Sequence, residues 1–396
     1  MKSTWKIVKL EEVCVKTTSG GTPNRAIKEF WNGDIPWIKS GELNDDIVVE
    51  HEETITRKGL ENSSAKIFPK GTLLLALYGA TAGKLGFLGI EAATNQAICA
   101  IFNDENLITK NFIYYFLLCN REKIVQDSFG GAQPNISQNY VRNLSIPLPP
   151  LETQKKIVEK IDAAFARLDE AIQLQQQNIQ RAENLKKSVL EEVFGGENKS
   201  WTRTKVGNAI DSIQTGTTPT MQEPRYYEIP SYDWFAPSDF DGKKELNNSK
   251  RKLDIRAIEE GKARIYPENS LLLVAIGATV GKIGISRIPT SSNQQITGIK
   301  FSYNILVDFA YYQFLYIKDL IISEASAATL PIINQNGIKK LPFKFPLDIK
   351  IQHQIVAYLD ETFRAADKLL AEQRQRLAHL EAMKKSILEA AFQGAL

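Results

Sequence analysis

The sequence predicts two copies of one mixed α/β (α+β) head, alternating with two long helices that pair antiparallel as a coiled coil, the whole related by a pseudo-two-fold repeat. Three observations carry this. An internal repeat runs through the chain, proline and glycine vanish from two stretches of more than forty residues, and both stretches hold apolar residues at heptad spacing.

The repeat comes first because it organises everything else. IFPKGTLLLALYGATAGKLGF from Ile67 lies over IYPENSLLLVAIGATVGKIGI from Ile265, an offset of 198 in a chain of 396 residues. The offset persists at Asn95-Gln96 against Asn293-Gln294 and at Tyr114 against Tyr312. It slips by one at PNISQN (from Pro134) against PIINQN (from Pro331), and returns at Gln154 against Gln352. Near the start it is 196, from TSGGTP ending at Pro23 to TGTTP ending at Pro219. Loop insertions between two copies of one fold leave slips of this size. Gene duplication with drift and no division of labour stays open.

Each head, 1–150 and 197–348, mixes short β-rich runs with turns. TLLLALYG and SLLLVAIG read as strands closed by Gly-Ala-Thr-x-Gly-Lys. A helix is expected over ITKNFIYYFLLCNREKIVQ from Ile108, where Phe112, Tyr115, Phe116 and Cys119 share a stripe. Proline-rich IPLPPLETQ and FKFPLDIKIQ then stop the heads. The helices follow within 151–196 and 349–396. In the first, Val158, Phe165, Ile172 and Ile179 alternate with Ile161, Leu168, Gln175, Ala182 and Val189. The second repeats the pattern 198 residues on, with Gln373 matching Gln175, so each seam calls for a partner and the other seam is the simplest one. The two glutamines form either a polar layer or a solvent-facing fray. The helix ends ENLKKSVLEEVFGG and EAMKKSILEAAFQG carry Leu190 and Phe194, and Leu388 and Phe392, more apolar surface than a two-stranded seam needs. These four either pack on the adjoining head or receive another subunit. Gly195 and Gly394 are expected C-terminal stops.

Composition narrows the function. A net charge of +3 neither demands nor excludes nucleic acid, and 43% hydrophobic with 24% charged residues describes a folded chain. Cys14, Cys99 and Cys119 form no CxxC, and three histidines accompany them, so a zinc site or disulfide framework is not expected. No apolar run approaches the ~20 residues of a membrane span, and a cytoplasmic protein with no membrane partner is expected. GATAGK and GATVGK fail the phosphate-loop spacing, and Leu85 and Ile283 stand where a metal-binding hydroxyl is needed. Asp162 and Asp169 recur as Asp360 and Asp367, but on the helices, as solvated flanks of a seam. No catalytic, cofactor or metal site is expected.

Two similar heads with different surfaces suit bipartite recognition of a long polymer. Residues 1–198 carry a net charge of −2 and residues 199–396 one of +5. The contrast centres on GDIPWIKSGELNDDIVVEHEETI from Gly33 and SYDWFAPSDFDGKKELNNSKRKL from Ser231. DNA-binding candidates are Lys39 and Ser40 in the first head, with Lys243, Lys244, Lys250, Arg251 and Lys252 in the second. Lys84 and Lys282, at equivalent turns, are candidates for phosphate contact. Trp37 and Trp234 fit domain core better than base stacking.

GDIPWIKSGEL, PKGTLLLALYGATAGKLG, TNQAI, PNISQNYVRNLSIPLPPLETQKKIVEKID and AENLKKSVLEEVF, nearly all with second copies, resemble the specificity subunits of Type I restriction-modification systems, the HsdS family. Gln154 and Ile157, with Gln352 and Ile355, resemble that family's entry to its spacer helix. The second copy departs from it, because Pro346-Leu347-Asp348 lacks the double proline. The resemblance implies a subunit that binds double-stranded DNA at a bipartite, asymmetric site. It implies two methylation subunits supplying S-adenosylmethionine and methylating adenine N6, and two restriction subunits adding ATP and Mg²⁺. A specificity subunit for a methylase-nuclease fusion or a solitary methyltransferase stays open, as does a two-headed scaffold that binds no DNA. Neighbouring genes separate the fusion or solitary-methyltransferase subunit from the Type I subunit, and duplex binding by the reconstituted complex separates the scaffold.

Overall fold

The computed structural model describes residues 5–127, 135–325 and 330–396. The chain divides into two compact units, residues 1–176 with 375–396, and residues 177–374. Each unit therefore holds one head, the first half of one long helix and the second half of the other. The helices considered below are α1 (Lys110–Cys119), α2 (Leu151–Phe194), α3 (Val307–Tyr316) and α4 (Ile349–Phe392).

In the first unit, a five-stranded sheet runs in the order Cys14–Ser19, Ile98–Asn103, Leu73–Ala76, Leu85–Leu88, Asp46–Val48. Beside it lies a four-stranded sheet ordered Glu53–Ile55, Trp31–Ile38, Ala92–Thr94, Ile67–Phe68. The run Leu73–Ala76 is apolar throughout because both of its faces are covered: Leu73 and Leu75 join the core with Phe112 and Ile161, and Leu74 the core with Phe68 and Ile98. The second unit repeats this, with Ser270–Val274 central in a sheet ordered Ile210–Thr215, Ile296–Phe301, Ser270–Val274, Ile283–Ser286. The GATxGK segments are turns. Gly79, Gly83, Gly277 and Gly281 all have positive φ, from 83° to 103°, where a side chain is strained.

The helix expected from Ile108 is two helices, because Asn120 caps α1 and a second begins at Arg121. The repeat register also needs correction. α1 and α3 are offset by 197, since six residues (104–109) join strand to helix in the first copy and five (302–306) in the second. Tyr115, not Tyr114, is thus the counterpart of Tyr312: Tyr115 donates its hydroxyl to Asp162, and Tyr312 to Asp360 at 2.5 Å. Burial first, and then the carboxylate, push both phenols up, so each stays protonated and donates. Of PNISQN, Pro134 lies outside the described residues.

Gln154 and Gln352 are fully buried at the foot of α2 and α4, and each ties its helix to its head. Gln154 Oε1 accepts from Thr109 N, and its Nε2 donates to Leu107 O and Pro149 O, all at 2.9 Å. Gln352 makes the same three bonds, with Leu306 N, Asn304 O and Pro346 O. The missing second proline is replaced by Asp348, whose Oδ1 accepts from Lys350 N at 2.8 Å and so caps α4. Gln154→Leu should strand three backbone groups and destabilise the first unit by about 3 kcal/mol or more. A lowered urea midpoint in the full chain is the expected readout, and an unchanged midpoint counts against this role.

The helices pair antiparallel within each unit. Lys384 reaches Asp169 and lies 4.8 Å from the Phe165 ring centroid, and Lys186 reaches Asp367 and lies 5.1 Å from that of Phe363. The recurrent aspartates are thus partnered rather than merely solvated. Gln373 is buried and Gln175 half-buried, each with an Oε1 that lacks a hydrogen-bond partner among the described residues, so Gln373 is no solvent-facing fray. Gly394 takes φ +75° beyond α4, whereas Gly195 is not among the glycines of positive φ.

Candidate nucleic-acid interface

The expected DNA-binding side chains separate into two sets. In the first head, Lys39 bonds Glu52 and lies 3.4 Å from Glu53, and the Glu52 bond raises its pKa. Ser40 opens a one-turn 3₁₀ segment and accepts a bond from Thr81 through its carbonyl. Lys84 pairs with Asp45 at 2.9 Å, and Arg121 bonds the same carboxylate. Burial pushes the Asp45 carboxyl up, but the bonds from Lys84 and Leu85 N, together with Arg121, outweigh it and hold the carboxyl below its usual range.

In the second head, KKELNNSKRK does not present one face. Lys244 is the correction: its side chain is 18% exposed and reaches Asp308 at 2.7 Å and Asp360 at 2.6 Å, so it neutralises two half-buried carboxylates instead of facing outward. Asp308 is also bound by Arg287, and burial, which alone would raise its pKa, is outweighed by these two cations. Lys243, Lys250, Arg251 and Lys252 stay exposed, on and before the strand Arg251–Leu253. Lys243 pairs with Asp241 and Lys252 lies 3.4 Å from Asp233. Lys282 is not a copy of Lys84, for its Nζ donates to Phe240 O at 3.2 Å.

The apolar helix ends resolve toward the heads. Phe194 is 1% exposed, with its ring centroid 5.5 Å from that of Phe309 and 5.8 Å from that of Tyr316. Leu190 and Leu388 are buried in the cores of their units. Phe392 is half-buried, 5.0 Å from Phe112 and 5.7 Å from Phe116. These side chains are occupied within the chain, which corrects their reading as a surface for another subunit.

In the sequence the TSGGTP and TGTTP loops stand out only as register marks of the repeat. Both are seated by tryptophans that are core, as expected: Trp37 Nε1 donates to Gly21 O at 2.9 Å and Trp234 Nε1 to Thr217 O at 3.1 Å. A Cβ on Gly20 would lie 2.1 Å from Thr94 O, and one on Gly216 2.3 Å from Ser292 O, so only glycine lets the loop lie this close to the neighbouring strand. The signal that could have marked these loops is polar identity kept in both copies at turns, where no core requires it. Among the described residues, no group of acidic, histidine or cysteine side chains could hold a metal, and no helix is long and apolar enough to cross a membrane.

Comparison with known proteins decides the family. The model of the family described as "Type I restriction modification DNA specificity domain" matches residues 2–184 and again 198–379. The chain belongs to this family. The MjaIX specificity subunit of Methanocaldococcus jannaschii is 23% identical, over 94% of this chain and 89% of its own length. The StySPI specificity subunit of Salmonella potsdam is 24% identical, over 94% of this chain and 84% of its own. In fold, a chain from a study of assembly and conformational transition of the type I R-M system superposes with a TM-score of 0.80 at 20% identity, covering all of both chains. The HsdS subunit of Thermoanaerobacter tengcongensis gives 0.56 at 20% identity, over 99% and 97%. This HsdS chain is the DNA sequence-specificity subunit of a Type I restriction-modification complex, and its part is recognition. Catalysis and its cofactors reside in the methylation and restriction subunits with which it assembles.

Proposed function

We propose that each head of this HsdS chain, 1–150 and 197–348, reads one half of a bipartite, asymmetric duplex site, and that the helices within 151–196 and 349–396 set the unread interval between the halves. Two methylation subunits, carrying S-adenosylmethionine, act on one adenine in each half, and two restriction subunits add ATP and Mg²⁺. The observation that supports this reading is the divergence of the blocks 33–55 and 231–253 on a scaffold that otherwise repeats. The first block is acidic around Glu50, Glu52 and Glu53, and the second exposes Lys250, Arg251 and Lys252. Phosphate contacts are common to all duplexes, whereas the choice of sequence lies in base contacts, which belong in the divergent surface. Lys39, Ser40, Lys243, Lys250, Arg251 and Lys252 are therefore the candidate readers.

Mapping N6-methyladenine across a host genome, with and without this gene, identifies the site. Exchange of residues 24–130 for the corresponding block of a relative should then change one half of the methylated sequence and leave the other. Change in both halves would sink the independence of the heads.

A further inference from the structure

The loops 18–23 and 215–219 each gather a glutamine and a cation from distant parts of the head, and they do so in both copies. In the first head, Thr22 Oγ1 donates to Gln96 Oε1, while Lys66 Nζ donates to Thr18 Oγ1 at 2.7 Å and to Ser19 O at 3.2 Å. In the second, Thr218 Oγ1 donates to Gln294 Oε1 at 2.5 Å and Arg264 donates to Thr215 O at 2.8 Å. Lys66, Gln96, Arg264 and Gln294 are exposed. The core therefore does not explain why a cation and a glutamine recur here.

The orientation of the glutamines has a chemical consequence. Each threonine occupies the amide oxygen, which fixes the side chain and turns its NH₂ outward. Neither amide nitrogen has a hydrogen-bond partner among the described residues. Each loop thus holds a preset neutral donor and, three or four residues away, a bound cation, an arrangement that suits anionic oxygen acceptors. The heads differ where base reading is placed and agree here, and the feature of a duplex that does not change between two different half-sites is its phosphate backbone.

We infer that Gln96 with Lys66, and Gln294 with Arg264, form one sequence-neutral phosphate clamp in each head, holding the duplex in register for the divergent surfaces to read. This rests on the proposal that both heads contact DNA. The clamp residues are positioning residues.

The test uses the full chain assembled with its methylation subunits, titrated over a salt series with a cognate duplex and with an unrelated duplex of equal length. Gln96→Ala combined with Gln294→Ala should weaken binding to both duplexes by about tenfold, leaving their affinity ratio unchanged. Lys66→Ala with Arg264→Ala should weaken both and flatten the slope of log affinity against log salt by roughly 1.8. Gln96→Glu with Gln294→Glu keeps an acceptor for each threonine, so the loops stay closed, but sets a carboxylate against the phosphate. It should bind more weakly than the alanine pair, and the methylated sequence should stay the same in every variant. Loss confined to the cognate duplex, or glutamate variants that bind like the unchanged protein, would overturn the clamp. If the unchanged complex itself fails to prefer the cognate duplex, the underlying reading of the heads fails instead.

Discussion

Phe194→Asp is expected to unfold the second unit rather than to remove one methylation subunit from an otherwise intact complex. The ring is 1% exposed and sits among Trp201, Phe309 and Tyr316, with Val189 and Leu190 in the same core. Truncation of a buried phenylalanine to alanine costs about 3–5 kcal/mol, and a carboxylate adds the cost of burying a charge without a partner. A domain stabilised by roughly 5–15 kcal/mol cannot absorb both. Hydrogen exchange should show lost protection over 202–345 while residues 5–103 keep theirs. A chain that remains protected throughout and yet binds one methylation subunit fewer would restore the helix end as a docking surface. Phe392→Asp should act in the same direction on the first unit but less severely, because that ring is only half-buried.

Residues 1–198 expressed alone should form a symmetric dimer. The first unit is completed by residues 375–396, and the fragment carries a near-copy of that segment at 177–198. Position by position, Lys186 can replace Lys384 beside Asp169, Leu190 can replace Leu388, and Phe194 can replace Phe392 against Phe112 and Phe116. Some substitutions are adverse: Ala182 replaces half-buried Leu380, Glu192 replaces half-buried Ala390, and Val193 replaces Ala391, which is fully buried, where overpacking costs about 1–3 kcal/mol. Val193→Ala should therefore tighten the dimer. A two-fold protein reads a palindrome, so the fragment with its methylation subunits should modify an interrupted palindrome of the first half-site. Sedimentation equilibrium followed by methylation mapping tests both steps. A stable monomer, or methylation still confined to the asymmetric site, would show that the two copies are no longer interchangeable.

Much of the fold was legible because its signals are local. Heptad spacing from Val158 to Val189 exposes a seam, since each residue's preference for or against water acts where that residue stands. The site was less legible. KKELNNSKRK reads as one basic patch, yet Lys244 turns inward to Asp308 and Asp360, residues 64 and 116 positions away, while Lys250 and Arg251 stay exposed. The repeat register failed at α1 for a related reason. Both copies carry tyrosines on adjacent positions, which offers two alignments, and only the hydrogen bonds to Asp162 and Asp360 choose between them.

The amino-acid sequence by itself determined that this protein is a duplicated head with two long helices and two unlike surfaces, because repeats, periodicity and charge are properties of the chain as written. Tertiary structure alone decided what the helix ends are for. Phe392 lies 280 residues from Phe112, and no local pattern says that a chain will return so far to fill a core it left open. It also decided which side chains meet at the Thr-Pro loops, since Lys66 and Gln96 reach residues 18–22 only after the strands between them have paired, and a hydrogen bond has no direction until both partners are placed.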